Sequence, residues 1–477
     1  MVKPKARKIR MSKNPNLVYV FADQLRYASC GYNGDKYAKT PNIDRLASEG
    51  TVMDNCVSNH PVCAPYRASL FTGKYTTGTG MVINEIRLNP NHRTFANILN
   101  ENGYETCYIG KWHMYANQWG NHYAVKNSYI PAGPNRLGFN DYFAAYNFHH
   151  EYFKPKAYYH LNSPEKIYYE GYEPDAQTDD AIKQLNRLAK GEKPFSMFLS
   201  IGTPHDPWNK DNVPEKYYNM FKDVNFEAPP NYAKKATDPV DIWSRMTKKN
   251  HKNLNEWLRC YYAMVANLDY NIGRLFAEVE KLGLADNTIF VFTSDHGECF
   301  GAHGRRAKNV FYDEAVRVPF IIYEKGRIEA TVNKNCFSTV DIMPTLLSLM
   351  NLPQSEESQG TDISDSVLNG THIENASLLM CTGHTACWGN GFEWRAFRDE
   401  RYTYAYWKDK EHYMFDNIND PYQQNNIYGN PQYIDEQNRL DVAMFKKMNE
   451  INDNFRRASY YKKHWVKNRK IKENLVP

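Results

Sequence analysis

Short apolar runs recur along the chain, and each ends at a cluster of polar residues. The clearest runs are residues 16–22, 106–110, 195–202, 288–293 and 318–323. Continuous apolar runs of this length are typical of strands that are buried on both faces. Helix-like stretches lie between and beyond them, at 41–49, 64–72, 93–103, 177–190, 254–284 and 341–351. This alternation predicts an α/β fold in which helices sandwich a large, mostly parallel sheet.

The pattern changes after about residue 375. Aromatic and charged residues alternate over 393–407 and 411–417, as they do in half-buried antiparallel strands. A helix-like stretch follows at 434–456. We therefore predict a catalytic domain over 1–375 and a smaller α+β subdomain over 376–477, with an antiparallel sheet, a helix and a basic tail. The Tyr-, Asn- and Gly-rich segment 115–175 is expected to form part of a pocket wall.

Composition narrows the class of protein. The chain has 477 residues, of which 42% are hydrophobic, so a sizeable core is available. It contains no apolar run of about 18 residues, which argues against a transmembrane helix. No secretory signal is visible, so a native N-terminus predicts a cytoplasmic protein, and a removed signal a periplasmic or secreted one. Nine irregularly spaced cysteines without a C-x-x-C pair argue against a disulfide framework and a structural zinc site.

Positive charge is concentrated at the two ends. Residues 1–13 carry six Lys or Arg, residues 456–472 carry eight, and neither segment has an acid. Removing these fourteen from a net charge of +5 leaves the rest of the chain at −9. Basic ends could favour a polyanion, but no nucleic-acid-binding motif accompanies them. We interpret them as solvated termini and expect neither a nucleic-acid nor a membrane partner.

Four of the predicted strands end in residues that can carry chemistry. These are Asp23 and Gln24, Lys111 with His113 two residues on, His205, and the pair Asp295 and His296. In open α/β sheets, ligands bind outside the carboxyl ends of the strands, so we expect these side chains to converge. Each one alone has a simpler explanation, such as a turn, a helix cap, a packed histidine or a solvated lysine. Oxygen-rich ligands with one nitrogen suit Ca²⁺ or Mg²⁺ better than zinc.

Cys63 begins the sequence C-x-P-x-R, just before a helix-like run. Pro65 is well tolerated at a helix start, so Cys63 is expected near a helix N-terminus, where partial positive charge favours an anion. Arg67 lies one turn later and could share that side. The alternative is a buried, inert cysteine. With Lys308 and His303, these groups predict a pocket for a tetrahedral oxyanion.

Several ordered motifs together resemble one family, the formylglycine-dependent type I sulfatases of the alkaline-phosphatase-like superfamily. "CAPYRASLFTGKY" resembles the family signature, and "TPNIDRLASEG", "GYETCYIGKWH" and "TSDHGECFGAHG" resemble its flanking blocks. "YMFDNINDPYQQNN" resembles the usual C-terminal block, so the resemblance spans about residues 16 to 430.

The resemblance implies that Cys63 is oxidised to formylglycine (3-oxoalanine) by a formylglycine-generating or sulfatase-maturating enzyme. One hydroxyl of the hydrated aldehyde would attack sulfur and displace the alcohol, and the second would then expel sulfate. Asp23, Gln24, Asp295 and His296 would bind Ca²⁺ together with the modified Cys63. Many relatives have Asp-Asp where this chain has Asp23-Gln24, and Gln24 offers a carbonyl oxygen without a charge.

The resemblance also implies roles for the other site residues. Arg67 would hold the nucleophile, Lys111 and Lys308 would neutralise sulfate oxygens, His113 would support the hydrate, and His205 would protonate the leaving group. Predicted substrate contacts are Asn84, His303, Trp208 and Arg305, with His149, His150, Arg306, His384 and Trp388 as further candidates for specificity. The expected substrate is a sulfated small molecule, and stacking aromatics favour a sulfated carbohydrate.

Two rival functions remain open. A phosphonate or phosphate monoester hydrolase of the same superfamily shares the cysteine motif and the Asp-His ligands, although the Lys-x-His of "GKWH" favours sulfate. A non-catalytic glycan-binding protein would keep an unmodified Cys63.

Overall fold

A computed structural model describes residues 14–116, 124–153, 158–159 and 161–471 of the protein. The strands in this part of the chain are β1 Asn16–Asp23, β2 Thr51–Met53, β3 Cys56–Val57, β4 Glu105–Lys111, β5 Tyr142–Tyr146, β6 Tyr158–Tyr159, β7 Ile167–Tyr168, β8 Phe195–Pro204, β9 Thr288–Ser294, β10 Phe320–Tyr323, β11 Thr331–Asn333, β12 Phe337–Ser338, β13 Ser377–Cys381, β14 Trp394–Arg398, β15 Tyr402–Trp407, β16 His412–Asp416, β17 Val466–Lys467 and β18 Lys470–Ile471. The α-helices are α1 Pro41–Glu49, α2 Cys63–Thr72, α3 Thr76–Thr79, α4 Phe95–Glu101, α5 Val125–Ser128, α6 Glu173–Leu188, α7 Glu215–Asn219, α8 Lys248–Lys281, α9 Asp313–Val316, α10 Thr339–Leu349, α11 Ser364–Asn369, α12 Ile434–Glu450 and α13 Ala458–His464.

An eight-stranded sheet in the order β11-β2-β10-β9-β1-β8-β4-β5 forms the centre of the fold. The five neighbouring strands β9, β1, β8, β4 and β5 are all parallel. β10 runs antiparallel to both β9 and β2. The carboxyl ends of the parallel strands therefore meet at one edge of the sheet, which is where a ligand site is expected.

Strand β1 shows why the sheet needs a layer of helices on each face. All eight of its residues are buried. Leu17, Tyr19 and Phe21 pack into one core with residues of α2, α4 and α10. Val18 and Val20 pack into a second core with residues of α1, α6 and α8. Because side chains alternate across a strand, an uninterrupted apolar run fills two cores at once. The predicted fold class, with its smaller C-terminal antiparallel subdomain, is confirmed.

The predicted helices are all present, with shifted ends that have local causes. The helix expected over 254–284 begins at Lys248, because Thr247 and Asn250 form a capping box. The helix expected over 434–456 ends at Glu450, and Asn452 follows in a left-handed conformation with φ 57°. The apolar pattern alone therefore misplaced these two helix ends by several residues, because polar residues at the ends determine where each helix begins or stops.

The C-terminal sheet is an antiparallel meander of β13, β14, β15 and β16. One core joins Leu378, Met380 and Tyr404 of this sheet to Leu440 and Met444 of α12. A further core joins residues of β13 to β16 to the segment around Phe311 of the large domain. The subdomain is thus packed against the segment that follows β9. The boundary at residue 375 stays a prediction.

The basic C-terminal segment packs on the protein through a few residues. Ala458 and Tyr461 of α13 are buried, and Arg469 donates to the backbone oxygen of Glu85. The Lys and Arg side chains of residues 456–471 are otherwise exposed, as expected for a solvated basic end, while residues 1–13 lie outside the described part. All nine cysteines are unpaired. No helix among the described residues combines the length and the apolarity that crossing a bilayer requires.

Candidate active site

The carboxyl ends of four parallel strands bring charged side chains together, as the sequence predicts. Asp23 ends β1, Lys111 ends β4, His205 follows β8, and His296 lies two residues beyond β9. The Lys111 Nζ is 2.5 Å from Asp23 Oδ2. The Nε2 atoms of His296 and His205 lie 3.7 and 3.9 Å from Asp23 Oδ1. Asp23 is therefore the centre of this cluster, and its buried carboxylate contacts these three residues and Arg67.

Cys63 is the first residue of α2, so its sulfur lies at a helix N-terminus. Val62 caps the helix without a side-chain hydrogen bond, and the Ala64 N–H donates instead to Asn84 Oδ1 at 3.0 Å. The Cys63 Sγ lies 3.2 Å from Lys308 Nζ and 3.3 Å from His296 Nε2. Aligned backbone N–H groups and these neighbours make the position favourable for negative charge.

Positive charge around Cys63 lowers the pKa of its thiol. Burial would raise that pKa, but the positive charges of Lys111 and Lys308 outweigh burial and hold it well below its ordinary value. The side chain at position 63 therefore faces an environment built for an anion. In a modified residue, the oxygens of the hydrated aldehyde would occupy the position of this sulfur.

Ligand atoms of Asp23, Cys63, Asp295 and His296 all lie within 4.8 Å of one another, and all four residues are buried. The His296 Nδ1 donates to the Gly297 carbonyl at 3.0 Å. Because Nδ1 carries the hydrogen, Nε2 presents its lone pair to the other three residues, as a metal ligand must.

Two buried carboxylates of this group lie close together, and the Arg67 guanidinium lies 3.2 Å from Asp23 Oδ2 and 3.7 Å from Asp295 Oδ2. Asp295 Oδ1 accepts the Gln24 N–H at 3.0 Å, whereas Oδ2 accepts no hydrogen bond from the described residues. Burial and the neighbouring Asp23 raise the pKa of Asp295 above its ordinary value. A hard divalent ion would relieve this repulsion, and two carboxylates with one imidazole form a suitable donor set for Ca²⁺ or Mg²⁺.

Gln24 is held by two neighbours through its side-chain amide. Its Nε2 donates to Glu298 Oε2 at 2.7 Å, and its Oε1 accepts from Lys308 Nζ at 3.1 Å. The backbone at Gln24 is left-handed, with φ 70°, a conformation found where surrounding contacts enforce it. Gln24 thus positions Lys308, and its assignment as a metal ligand stays a prediction.

Arg67 is fully buried and forms hydrogen bonds to the ends of several strands. It donates to the Lys111 backbone oxygen and to Ser200 Oγ, both at 2.7 Å. A third bond, at 3.2 Å, reaches Asp23 Oδ2. Charge-assisted bonds of this kind fix the ends of β1, β4 and β8 relative to α2.

His205 belongs to a polar chain that leads out of the site. Its Nδ1 donates to the Asp206 backbone oxygen at 2.8 Å and lies 3.0 Å from Asp206 Oδ1. Arg306 donates to the other carboxylate oxygen at 3.1 Å. Burial and Lys308 lower the pKa of His205, but Asp23 and Asp206 outweigh them and raise it to about 9.

Lys308 and His205 are in direct contact. The Lys308 Nζ is 3.1 Å from the His205 Nε2, which is hydrogen-bonding distance when one of the two nitrogens is unprotonated. His150 stacks on the opposite side of His205, with ring centroids 3.7 Å apart and planes 3° apart. His113 is buried beside Cys63, and burial lowers its pKa to about 3, so its ring is neutral at ordinary pH.

These groups open into a cavity of about 360 Å³. The sequence-predicted residues that line it are Gln24, Cys63, Asn84, His150, His205, Arg306 and Lys308. Phe148 and His150 belong to the segment 115–175 that was expected to contribute a wall. Glu85, Trp243 and Thr385 also line it and were missed, because each lies in a loop without a periodic pattern or motif.

Three predicted substrate contacts lie outside the cavity wall and stay predictions. Trp208 is 5% exposed, donates from Nε1 to the Pro204 oxygen, and packs on the rings of Trp257 and Phe300. His303 stacks on Tyr312 with centroids 3.6 Å apart.

Arg305 is 1% exposed and pairs with Asp238. These three residues are not among the described residues that line the cavity, and packing or ion pairing accounts for each.

The remaining specificity candidates also lie outside that wall. His149 contacts Glu173 Oε2 at 2.6 Å, His384 packs against Phe392, and Trp388 packs against the first core. His150 and Arg306 were predicted on the same grounds and do line the cavity. The sequence alone does not distinguish these two groups of residues, because the difference depends on the tertiary fold.

Comparisons with known proteins agree with this geometry. The family model described as Sulfatase matches residues 15–352, and one described as N-sulphoglucosamine sulphohydrolase, C-terminal, matches residues 301–454. An ulvan-active sulfatase from Formosa agariphila is 38% identical over 457 residues, which cover 94% of this chain and 84% of that protein.

Two further relatives match nearly the whole chain. An N-acetylglucosamine-6-O-sulfatase from Bacteroides thetaiotaomicron is 26% identical and covers 93% of this chain and 88% of its own length. A crystal structure of yidJ from Bacteroides fragilis superposes with a TM-score of 0.82 at 29% identity, covering 96% of this chain and 100% of that one.

Proposed function

This chain belongs to the sulfatase family and is a sulfuric ester hydrolase, and on that premise we propose that it removes sulfate from a sulfated carbohydrate after conversion of Cys63 to formylglycine. The observation that carries the proposal is the position of Cys63. Its side chain lies at the N-terminus of α2 and contacts Lys308 and His296 within 3.3 Å. The proposed nucleophile therefore lies between a lysine that can neutralise sulfate and a histidine that can bind a metal.

Formylglycine at position 63 would supply, through its hydrate, one hydroxyl as nucleophile and a second for the release of sulfate. The protein holds residue 63 in a buried position with fixed neighbours. Asn84 fixes the first turn of α2, and His113 packs beside the side chain as a neutral ring. Cys63 is 1% exposed, so a formylglycine-generating or sulfatase-maturating enzyme would have to reach it before the chain folds.

Asp23, Asp295 and His296 would hold a Ca²⁺ or Mg²⁺ ion together with the modified Cys63. Such an ion lowers the pKa of a coordinated hydroxyl and neutralises charge on sulfate oxygens. Arg67 keeps Asp23 in place, and the Gln24 N–H keeps Asp295 in place.

Lys111 and Lys308 neutralise the sulfate oxygens in this proposal. Both ammonium groups are buried, which strengthens their attraction for an anion compared with the same groups in water. His205 protonates the leaving alcohol, because the pKa of its imidazole is raised to about 9 and the ring carries a proton at neutral pH. A sugar alkoxide is a poor leaving group, so this proton matters most for carbohydrate substrates.

The carbohydrate substrate class is supported by the cavity and by the relatives. The cavity combines the cationic end with Phe148, Pro207 and Trp243, a mixture that suits a ring with apolar and polar faces. One relative named above acts on ulvan, and another is named for the 6-O-sulfate of N-acetylglucosamine.

Mass spectrometry and a substrate panel test the proposal together. The peptide containing Cys63 from active protein should be about 18 Da lighter than the unmodified peptide, as expected for conversion of a thiol to an aldehyde. The panel contains sulfated mono- and disaccharides, 4-nitrophenyl sulfate and a phosphonate monoester. We expect a sugar sulfate to give the highest kcat/KM, and Cys63→Ala to abolish turnover.

Other outcomes contradict specific parts of the proposal. An unmodified cysteine in fully active protein would overturn the formylglycine assignment. Faster turnover of the phosphonate would favour the hydrolase of that class. Turnover of 4-nitrophenyl sulfate alone would leave a sulfatase whose substrate is not a carbohydrate.

A further inference from the structure

Trp243 is exposed and yet lines the catalytic cavity. Its exposed fraction is 49%, against 1% for Cys63, 5% for Lys308 and 9% for His205 in the same wall. This gradient places Trp243 at the mouth and the cationic groups at the bottom. A large aromatic side chain left half in water at a cavity entrance is a feature of ligand sites more than of stable surfaces.

The loop that carries Trp243 is held from both sides. Asp241 Oδ1 accepts the backbone N–H groups of Trp243 and Ser244, at 2.9 and 2.8 Å. Asp241 Oδ2 accepts from the N–H and the hydroxyl of Thr385, which is another residue of the cavity wall. The loop is therefore bonded to another residue of the cavity wall through the buried carboxylate of Asp241.

A second anchor ties the same loop to the catalytic lysine. The Ser244 hydroxyl donates to the Lys308 backbone oxygen at 2.9 Å. The backbone N–H of Arg306 donates to the backbone oxygen of Ser244, also at 2.9 Å. Trp243 is thus placed at a fixed distance from the sulfate end of the cavity. Pre-organised aromatic groups bind with a smaller loss of conformational entropy than groups on loose loops.

Polar groups flank Trp243 at positions where ring hydroxyls could bind. Arg306 lines the cavity and uses one terminal nitrogen for Asp206. The Thr385 hydroxyl and the Asp206 carboxylate belong to the same wall. An aromatic face bordered by hydrogen-bonding groups matches a pyranose ring, whose C–H face is apolar and whose rim is polar.

We propose that Trp243 is a stacking platform for a pyranose ring in the alcohol part of the substrate, and that it determines the preference for glycan sulfates. This inference rests on the proposed function, since it assigns the part of that substrate beyond the sulfate. The sulfate end supplies recognition of the ester, and Trp243 supplies recognition of the sugar.

Kinetics of Trp243→Ala and Trp243→Phe test the assignment on the holoenzyme. The substrate is the sugar sulfate with the highest kcat/KM for the wild type, and inorganic sulfate is the inhibitor that probes the bottom of the cavity. We expect Trp243→Ala to raise KM for the sugar sulfate about tenfold, and the Ki of inorganic sulfate to change less than about twofold. Trp243→Phe, which keeps an aromatic face, should restore most of the loss.

The matched control is Ile242→Ala. Ile242 is 61% exposed and is adjacent to Trp243, but it is not among the described residues that line the cavity. We expect no change in KM for this variant. Because both side chains are exposed, all variants should unfold at the wild-type temperature.

Two results would overturn the inference while leaving the proposed function intact. One is a wild-type KM for the sugar sulfate in Trp243→Ala. The other is an equal loss of affinity for sugar sulfate and inorganic sulfate, which would mean that the catalytic end itself had been disturbed. If the wild type hydrolyses 4-nitrophenyl sulfate but no sugar sulfate, the carbohydrate assignment itself fails, and the stacking role fails with it.

Discussion

Asp206 holds His205 by its Nδ1 atom, with its backbone oxygen at 2.8 Å and its carboxylate at 3.0 Å. Since a carbonyl oxygen can only accept, Nδ1 carries a hydrogen, and Nε2 is the nitrogen that faces Lys308 and the cavity. Arg306 holds the other carboxylate oxygen at 3.1 Å. In the proposed mechanism, Asp206 therefore positions the group that would protonate the leaving alcohol.

Replacing Asp206 by Asn should slow substrates according to their leaving groups. The amide keeps an oxygen for Nδ1 but removes the charge that favours a protonated His205. We expect kcat to fall about tenfold on a sugar sulfate and less than about threefold on 4-nitrophenyl sulfate, whose leaving group needs no proton. Steady-state kinetics on both substrates measure the difference.

Asp211→Asn serves as the control for this prediction. Asp211 is exposed in the same segment and should tolerate the change on either substrate. An equal loss on both substrates in Asp206→Asn would contradict the leaving-group role and indicate a general disturbance of the site.

The structure explains why residue 24 is an amide and not a carboxylate. Glu298 is fully buried and accepts the Gln24 Nε2 hydrogen at 2.7 Å. Gln24→Glu would place two carboxylates in contact there, and would draw Lys308 away from the cavity. We expect kcat/KM to fall at least about tenfold and the free energy of unfolding to fall by about 2 kcal/mol. Thermal unfolding and kinetics provide the two measurements.

A second substitution should reverse this loss. In the double variant Gln24→Glu/Glu298→Gln, an amide again faces a carboxylate, with donor and acceptor exchanged. The other Glu298 oxygen, which accepts from the N–H groups of Phe300 and Ala307, keeps its chemistry. Failure of the double variant to regain stability would show that the pair does not interact as described.

Asp295→Asn should separate metal binding from folding. The amide oxygen can still accept the Gln24 N–H, and the substitution removes the charge that lies against Asp23. We expect the bound Ca²⁺ or Mg²⁺ to fall below about a tenth of one equivalent, turnover to be lost, and thermal stability of the metal-free protein to be retained. Elemental analysis of the purified variant reports the metal content.

Asp286→Asn is the matched control, since Asp286 is an exposed residue just before β9. It should keep wild-type metal content and turnover. A full equivalent of metal in Asp295→Asn would contradict the assignment of this carboxylate as a ligand.

The sequence predicted the parts of the site that depend on strand ends. Asp23, Lys111 and His205 follow apolar runs, and parallel strands bring their carboxyl ends to one edge, so convergence follows from topology alone. Cys63 was placed correctly at a helix start because Pro65 marks one. These inferences needed only local patterns and one rule of sheet geometry.

The cavity wall could not be predicted in the same way. Trp208 and Trp243 both lie in polar, loop-like sequence, yet one is 5% and the other 49% exposed. Trp208 is buried because Trp257 on α8 and Phe300 pack on it, and neither neighbour is close in the sequence. Burial of a loop aromatic depends on such distant contacts, which no local pattern records.

Trp208→Ala should therefore behave as a core substitution. Removing a buried indole leaves a cavity between α8 and the segment after β9, and we expect the free energy of unfolding to fall by about 3–5 kcal/mol. Urea unfolding of the wild type and the variant measures this loss. A drop in sugar-sulfate affinity at unchanged stability would instead support the original prediction of a substrate contact.

His60 should make stability depend on pH on the acid side of neutrality. It is 3% exposed, and its Nδ1 lies 3.0 Å from the Thr76 hydroxyl. Burial and the charge of Arg395 lower the pKa of His60 from 6.5 to about 3. The folded protein thus keeps a neutral imidazole where the unfolded chain would bind a proton. Below pH 6.5 the unfolded state takes up that proton, so the contribution of His60 to stability falls by up to about 1.4 kcal/mol per pH unit.

His60→Gln removes this titration and so tests it directly. At pH 7.5 the variant should be less stable than the wild type, because it loses a packed ring. At pH 5.0 that difference should shrink by about 2 kcal/mol, since only the wild type is penalised by protonation of the unfolded chain. Urea unfolding of both proteins at the two pH values, at constant calcium, gives the comparison. A difference that stays constant between pH 7.5 and 5.0 would mean that His60 is protonated in the folded protein and that its burial does not govern its charge.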